Sequence, residues 1–205
     1  MVIFDLDGTL WETANATLKA ANEIAKEYDL PPFKIETINK GMGYSKEDVA
    51  KIYMPNLDIK TSMHYIDLIA EKNISLINKD NVKIYDGVKE TIKVLSKQYK
   101  LGIVTNNNTK YAEKFLEVSD LKKYFTDYLG AIDINASKGE AIKLVCQRNN
   151  EKNSYYVGDI KNDMLASMEA GVTFIHARYG FGKDLNAKYY INDIKELEKV
   201  LEDIK

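Results

Sequence analysis

The sequence predicts a doubly wound parallel α/β sheet with a helical unit inserted after its first strand. Beyond residue 80, short apolar runs alternate with amphipathic helical stretches, the pattern of strand–helix–strand units with right-handed crossovers. Before that point a single short strand, Val2-Ile3-Phe4, is followed by roughly 70 residues of helical pattern, far more than a βα loop takes. Several core strands also end in polar residues of matching kind, as they do where a parallel sheet presents a ligand crevice at its carboxyl edge. The α/β core is then residues 1–13 and 82–205, and a helical cap spans 14–81. Hinges are expected near Glu12-Thr13 and within residues 81–85.

Each element has its own reason. Val2-Ile3-Phe4 is an apolar run that opens the sheet. Residues 14–28 place Leu18, Ala21, Ile24, Ala25 and Tyr28 at helical spacing, and Pro31-Pro32 stop that helix. A short helical turn is expected at 35–39 and a flexible break at Gly41-Met42-Gly43-Tyr44. Ser45 caps a helix over 46–54, with Asp48 three residues on, and Pro55 ends it. Residues 61–78 form a long amphipathic helix with Met63, Ile66, Ile69 and Ala70 on one side. Asp86-Gly87 begins a helix through Val88, Ile92 and Leu95. The strand at 101–105 stops at Asn106-Asn107-Asn108, and Asn108 caps a helix over 109–118. A strand at 128–132, a helix over 137–148 and a strand at 154–157 follow. The helix over 160–170 closes at Gly171. Strands at 172–176 and 189–191 and a helix over 193–204 complete the core.

The 205 residues suffice for a full core and a smaller second unit. With 29 basic and 31 acidic residues the net charge is −2, which gives no footing for nucleic acid or an anionic membrane. No apolar run approaches the roughly 18 residues that span a bilayer, and an N-terminus that reaches Asp5 and Asp7 at once lacks a signal-peptide pattern. A cytoplasmic monomer or homodimer is expected. Cys146 is the single cysteine, so no internal disulfide forms, and its helical setting reads as a small buried hydrophobe. His64 and His176 have no metal-ligand partner at useful spacing and read as structural.

The chemistry centres on Asp5-Leu6-Asp7-Gly8-Thr9. A buried strand that ends in two unpaired carboxylates carries a desolvation penalty of several kcal/mol, which a cation or an open crevice relieves. Asp5 and Asp7, two residues apart in a turn that Gly8 permits, point into one crevice. The functional reading makes Asp5 a nucleophile and Asp7 a general acid/base beside a magnesium ion. A solvated Asp-x-Asp-Gly turn is the alternative, and the tetrad alone does not separate the two. Thr105-Asn106, Lys138 and Gly158-Asp159 with Asn162 and Asp163 lie at the ends of other strands and gather at the same edge. Together they supply carboxylates for a divalent cation, a hydroxyl and amide for an anion, and one ammonium. Lys138 opens a helix, where a cation opposes the helix dipole, so its placement favours a site role.

In these residues the chain resembles the haloacid-dehalogenase-like phosphohydrolases, whose four motifs appear in order. They are Asp5-Leu6-Asp7-Gly8-Thr9, Thr105, Lys138, and Gly158-Asp159-Ile160-Lys161-Asn162-Asp163. The resemblance implies that family's Rossmann-like core with an inserted helical cap, in the branch of the phosphoglycolate-phosphatase-like and β-phosphoglucomutase-like enzymes. It implies in-line attack by Asp5 on phosphorus to give an aspartyl-phosphate, and proton transfer to the leaving alkoxide by Asp7. Thr105 and the Asn106 amide would hold phosphoryl oxygens, and Lys138 would balance their charge. Magnesium would be bound by Asp5, the Asp7 carbonyl and Asp159, with Asp163 behind them through water. Ser137-Lys138-Gly139 departs from the Lys-Pro pair of many phosphoglycolate-phosphatase-like relatives but keeps the lysine. The presence of Asp7 argues for phosphoryl transfer from oxygen, since dehalogenases replace it and phosphonatases carry alanine there.

Gly41-Met42-Gly43-Tyr44-Ser45-Lys46 resembles the cap loop that faces the active site, which makes Gly43, Tyr44 and Lys46 substrate-contact candidates. A flexible loop between cap helices is the alternative reading of the same residues. Trp11 and Glu12 are placed to touch the leaving group or to pack at the hinge. The expected ligand is a small phosphorylated metabolite of the phosphoglycolate or sugar-phosphate type. A phosphomutase would use the same core but return the phosphoryl group to a sugar. A motif-bearing protein without turnover, which binds a phosphorylated metabolite, is the third reading.

Overall fold

The computed structural model describes residues 1–183 and 185–204; Asp184 and Lys205, both inside the expected core segment, lie outside the described residues. Hydrophobic alternation builds the sheet. In β1 (Val2–Phe4), Val2 and Phe4 belong to one apolar layer and Ile3 to the other, the two-residue period of a strand covered on both faces. The chain turns on the Leu6 carbonyl, which accepts from the amides of Thr9, Leu10 and Trp11, and enters β2 (Trp11–Glu12). Four helices follow: α1 (Ala14–Glu27), α2 (Ile35–Gly41), α3 (Lys46–Tyr53) and α4 (Ile59–Leu76). Then β3 (Lys83–Ile84) pairs antiparallel with β2, so the chain leaves and rejoins the sheet layer through one two-stranded ribbon.

The remaining elements alternate as far as the seventh strand, which the eighth follows directly. They are α5 (Val88–Leu95), β4 (Leu101–Thr105), α6 (Thr109–Ser119), β5 (Asp127–Gly130), α7 (Lys138–Arg148), β6 (Tyr155–Gly158), α8 (Lys161–Ala170), β7 (Thr173–Ala177), β8 (Tyr189–Ile191) and α9 (Leu197–Ile204). Among the described residues the main sheet has six strands in the order β5-β4-β1-β6-β7-β8, all paired in parallel. Ile92 of α5, Phe115 of α6 and Leu201 of α9 pack with Val2 and Phe4 on one face. Ile142 of α7 and Ala166 of α8 pack with Ile3, Val104 and Tyr156 on the other. The α1–α4 layer has an apolar cluster of its own, built on Ala21, Ile24, Ile38, Ala50, Ile66 and Ile69. Because β1 lies between β4 and β6, the residues just past these three strands meet at one edge.

Caps set several boundaries. Ser45 accepts from the Asp48 amide at 3.3 Å and Asn108 from the Tyr111 amide at 3.0 Å, both as the sequence predicts. The long cap helix starts at Ile59 rather than at 61, because Asp58 accepts from the Thr61 amide at 3.0 Å. The strand expected at 128–132 ends at Gly130, where the chain turns into a 3₁₀ helix (Ala131–Ile134) and leaves Ile132 exposed. Cys146 is buried on α7. No helix among the described residues is long and apolar enough to cross a membrane.

Candidate active site

Asp5 follows β1 and is buried. Its Oδ1 accepts from Lys138 Nζ at 2.8 Å, and its Oδ2, equally buried, has no hydrogen-bond partner. Lys138 is the first residue of α7, and a capping box fixes that helix start: the Glu140 amide donates to Ser137 Oγ at 3.0 Å and the Ser137 amide to Glu140 at 2.9 Å. The ammonium also donates to Asp163 Oδ1 at 2.7 Å. Burial works against its charge, but Asp163 and Asp5 outweigh burial and hold the lysine well above its ordinary range. Burial raises Asp5 from 3.8 to about 7, with Lys138 opposing and Asp163 adding to the rise.

Asp159 follows β6 and Asp163 lies in the first turn of α8. Asp163 Oδ2 accepts from the amides of Asp159 and Ile160 at 3.0 and 3.1 Å, so both of its oxygens are engaged. Asp159 Oδ2 accepts from the Phe181 amide at 2.6 Å, and His176 Nε2 donates to the Asp159 carbonyl at 3.1 Å. Burial, with the Asp163 and Asp5 carboxylates beside it, pushes the Asp159 carboxyl well above its usual range. Gly8 and Gly180 close on this group. A Cβ on Gly8, whose φ is +86°, would stand 2.3 Å from Asp159 Oδ2, and one on Gly180 would stand 2.4 Å from the same atom. Only glycine lets the backbone come so near.

Oxygens of Asp5, Asp159 and Asp163 lie within 4.8 Å of one another. With all three ionised, the carboxylates against one ammonium leave an excess of two negative charges, and burial raises Asp5 and Asp159 where no cation offsets it. The hard oxygen donors, that excess and the orphaned Asp5 Oδ2 fit a divalent cation of the magnesium kind. The Asp7 carboxylate stands outside this group. Its Oδ1 accepts from Tyr111 at 2.7 Å and from Thr13 at 2.8 Å, and the two hydroxyls are 2.9 Å apart. Burial raises the Asp7 carboxyl, and these two hydrogen bonds oppose the rise.

A cavity of about 90 Å³ lies between the sheet edge and the α1–α4 layer. Asp5, Asp7, Thr105 and Asn106 line it from the core side, and Gly43, Tyr44 and Lys46 line it from the other. Asn106 Nδ2 donates to the Gly43 carbonyl at 2.9 Å and ties the two sides together. Thr105 Oγ1 accepts from the Asn107 amide at 3.2 Å. Lys46 pairs with Asp67 at 2.5 Å. Trp11 is elsewhere: it is fully buried and packs edge-on against Tyr111 and Phe115.

Sequence reasoning missed three features here. Tyr111 and Thr13 carried no visible signal, since neither belongs to a motif. The segment after β7, which brings the Phe181 amide to Asp159, did carry one in the flanking Gly180 and Gly182.

Comparison with known proteins agrees with this geometry. Residues 2–177 match the family model described as haloacid dehalogenase-like hydrolase. A phosphoglycolate phosphatase of Haemophilus influenzae is 24% identical, over 98% of this chain and 97% of its own length. A crystal structure titled as a predicted phosphatase from Clostridium acetobutylicum superposes with a TM-score of 0.84 at 25% identity, covering 98% of this chain and 97% of that one. A haloacid dehalogenase-like hydrolase from Streptococcus pneumoniae shares the fold, with a TM-score of 0.82 at 22% identity over 98% and 97% of the two chains. The chain belongs to the haloacid dehalogenase-like hydrolases, as an enzyme of their phosphoglycolate-phosphatase-like phosphatase branch.

Proposed function

We propose that the protein is a magnesium-dependent phosphatase that hydrolyses a small phosphate monoester, of the phosphoglycolate or sugar-phosphate type, through an aspartyl-phosphate. The observation that carries this reading is Asp5: one oxygen pinned by Lys138, the other buried, free of hydrogen bonds and beside two further carboxylates. A carboxylate so restrained is a poor structural element and a well-oriented nucleophile.

In the first step one oxygen of the Asp5 carboxylate forms a bond to phosphorus as the bond between phosphorus and the alkoxide oxygen breaks. Asp7 gives its proton to that oxygen, consistent with a carboxyl that burial raises and hydroxyls orient. In the second step Asp7 takes a proton from water, the water oxygen bonds to phosphorus, and phosphate leaves Asp5. Lys138 balances phosphoryl charge and fixes the Asp5 rotamer, while Thr105 and the Asn106 amide hold phosphoryl oxygens. Asp5, Asp159 and the Asp7 carbonyl would hold the cation, with Asp163, its oxygens already engaged, behind them. Bound magnesium offsets the repulsion between the Asp5 carboxylate and the anionic ester.

Phosphate release from a panel of small monoesters tests the reading. Wild-type protein with magnesium is expected to turn over, and Asp5→Asn or a chelator to reduce the rate at least about a thousandfold. Folded wild type that releases no phosphate from any ester would overturn it.

A further inference from the structure

The α1–α4 side of the cavity has a polarity of its own. Among the described residues that line the cavity, Lys46 is the only basic one, and Asp67 already holds it at 2.5 Å. Asp5 and Asp7 line the same space. A carboxylate on the leaving group would find no unengaged cation on this side of the cavity among the described residues, since Asp67 already holds Lys46. A neutral hydroxyl would meet something better. Asn73 of α4, 6% exposed, donates through Nδ2 to Thr17 Oγ1 of α1 at 3.0 Å, while its Oδ1 is buried without a partner. Exchanging the two amide atoms leaves the other one orphaned, so either assignment presents an unmet polar atom. Both residues line the cavity, beside apolar Ile66 and Ile69. An unmet buried hydrogen bond costs about 1–3 kcal/mol, which a ligand hydroxyl recovers.

We propose that the leaving group taken here is a short neutral hydroxylated alcohol, a glycol or small polyol, bound through Asn73 and Thr17. The Lys46–Asp67 pair disfavours esters that carry a carboxylate. The proposal rests on the phosphatase reading above and narrows its substrate. It also sets this chain apart from its relatives named for phosphoglycolate.

The test compares kcat/KM for four probes: ethyl phosphate, 2-hydroxyethyl phosphate, glycerol 1-phosphate and 2-phosphoglycolate. Wild type is expected to favour the two hydroxylated esters over 2-phosphoglycolate by about tenfold or more. Asn73→Ala is expected to lower the ratio of 2-hydroxyethyl to ethyl phosphate about fivefold. Asp67→Asn, at a half-exposed position that tolerates change, frees Lys46 and raises 2-phosphoglycolate relative to 2-hydroxyethyl phosphate about tenfold. A wild type that prefers 2-phosphoglycolate overturns the proposal, as do ratios unmoved by both variants; hydrolysis of ethyl phosphate in those cases leaves the phosphatase reading standing. No release from any of the four overturns both.

Discussion

Tyr111 donates to Asp7 at 2.7 Å from a helix more than 100 residues away in sequence. Its hydrogen bond lowers a carboxyl that burial raises, so Tyr111→Phe should let the Asp7 carboxyl rise further. If Asp7 is the general acid, the alkaline limb of the kcat profile moves to higher pH in Tyr111→Phe. A steady-state pH profile reads this directly, and an unmoved limb would show that Asp7 is not the titrating acid. Asp5, Thr105 and Asp159 were legible because each ends or directly follows a strand of a parallel sheet, where topology alone brings strand ends together, and Lys138 because it opens the helix after β5. Tyr111 and Thr13 were not. A phenol on an apolar helix face looks the same in sequence whether it packs or donates, and its partner is fixed only by the tertiary fold.

At the scale of elements, α7 aims Lys138. Its capping box joins Ser137 and Glu140, and Ser137 Oγ also donates to Glu169 on α8 at 2.6 Å. Ser137→Ala removes the cap and should cost about 1 kcal/mol in urea unfolding. It should also lower turnover, since the buried ammonium loses the helix start that positions it. Unchanged stability and rate together would count against that role. Helices were readable here because their caps and periods are local. The β2–β3 ribbon was not, since two residues per strand carry no period and only their antiparallel pairing defines them. The end of β5 at Gly130 escaped for a similar reason. Ile132 reads as strand in an apolar run, yet the 3₁₀ turn turns it outward.

Across the whole molecule, the buried carboxylates couple folding to pH. Burial raises Asp5 from 3.8 to about 7, and Asp7 and Asp159 rise as well. The folded chain therefore keeps protons that the unfolded chain has lost between those limits. The sign follows: in metal-free protein this contribution to stability is full below about pH 4 and falls as pH rises toward about 7. Thermal melts in chelator should show a lower Tm at about pH 8 than at about pH 5.5, and magnesium should raise Tm more at the higher pH, at ~2–4 °C for each kcal/mol. A magnesium effect independent of pH would remove the Asp5 and Asp159 carboxyls from the cation site.

Phe181 spans the two layers. Its backbone amide grips Asp159 at 2.6 Å, while its ring packs with the apolar cluster of α1–α4. The loop is thus a tether with one end on a carboxylate and the other in a lid. Displacing the helical layer pulls on the amide, and rearranging Asp159 pulls on the ring. Coupling of this kind is reciprocal: whatever factor a seated cation adds to the affinity for a ligand under the lid, that ligand adds to the affinity for the cation. If a cation seats on Asp159 as proposed, this loop would couple its release to that of a ligand beneath the α1–α4 layer.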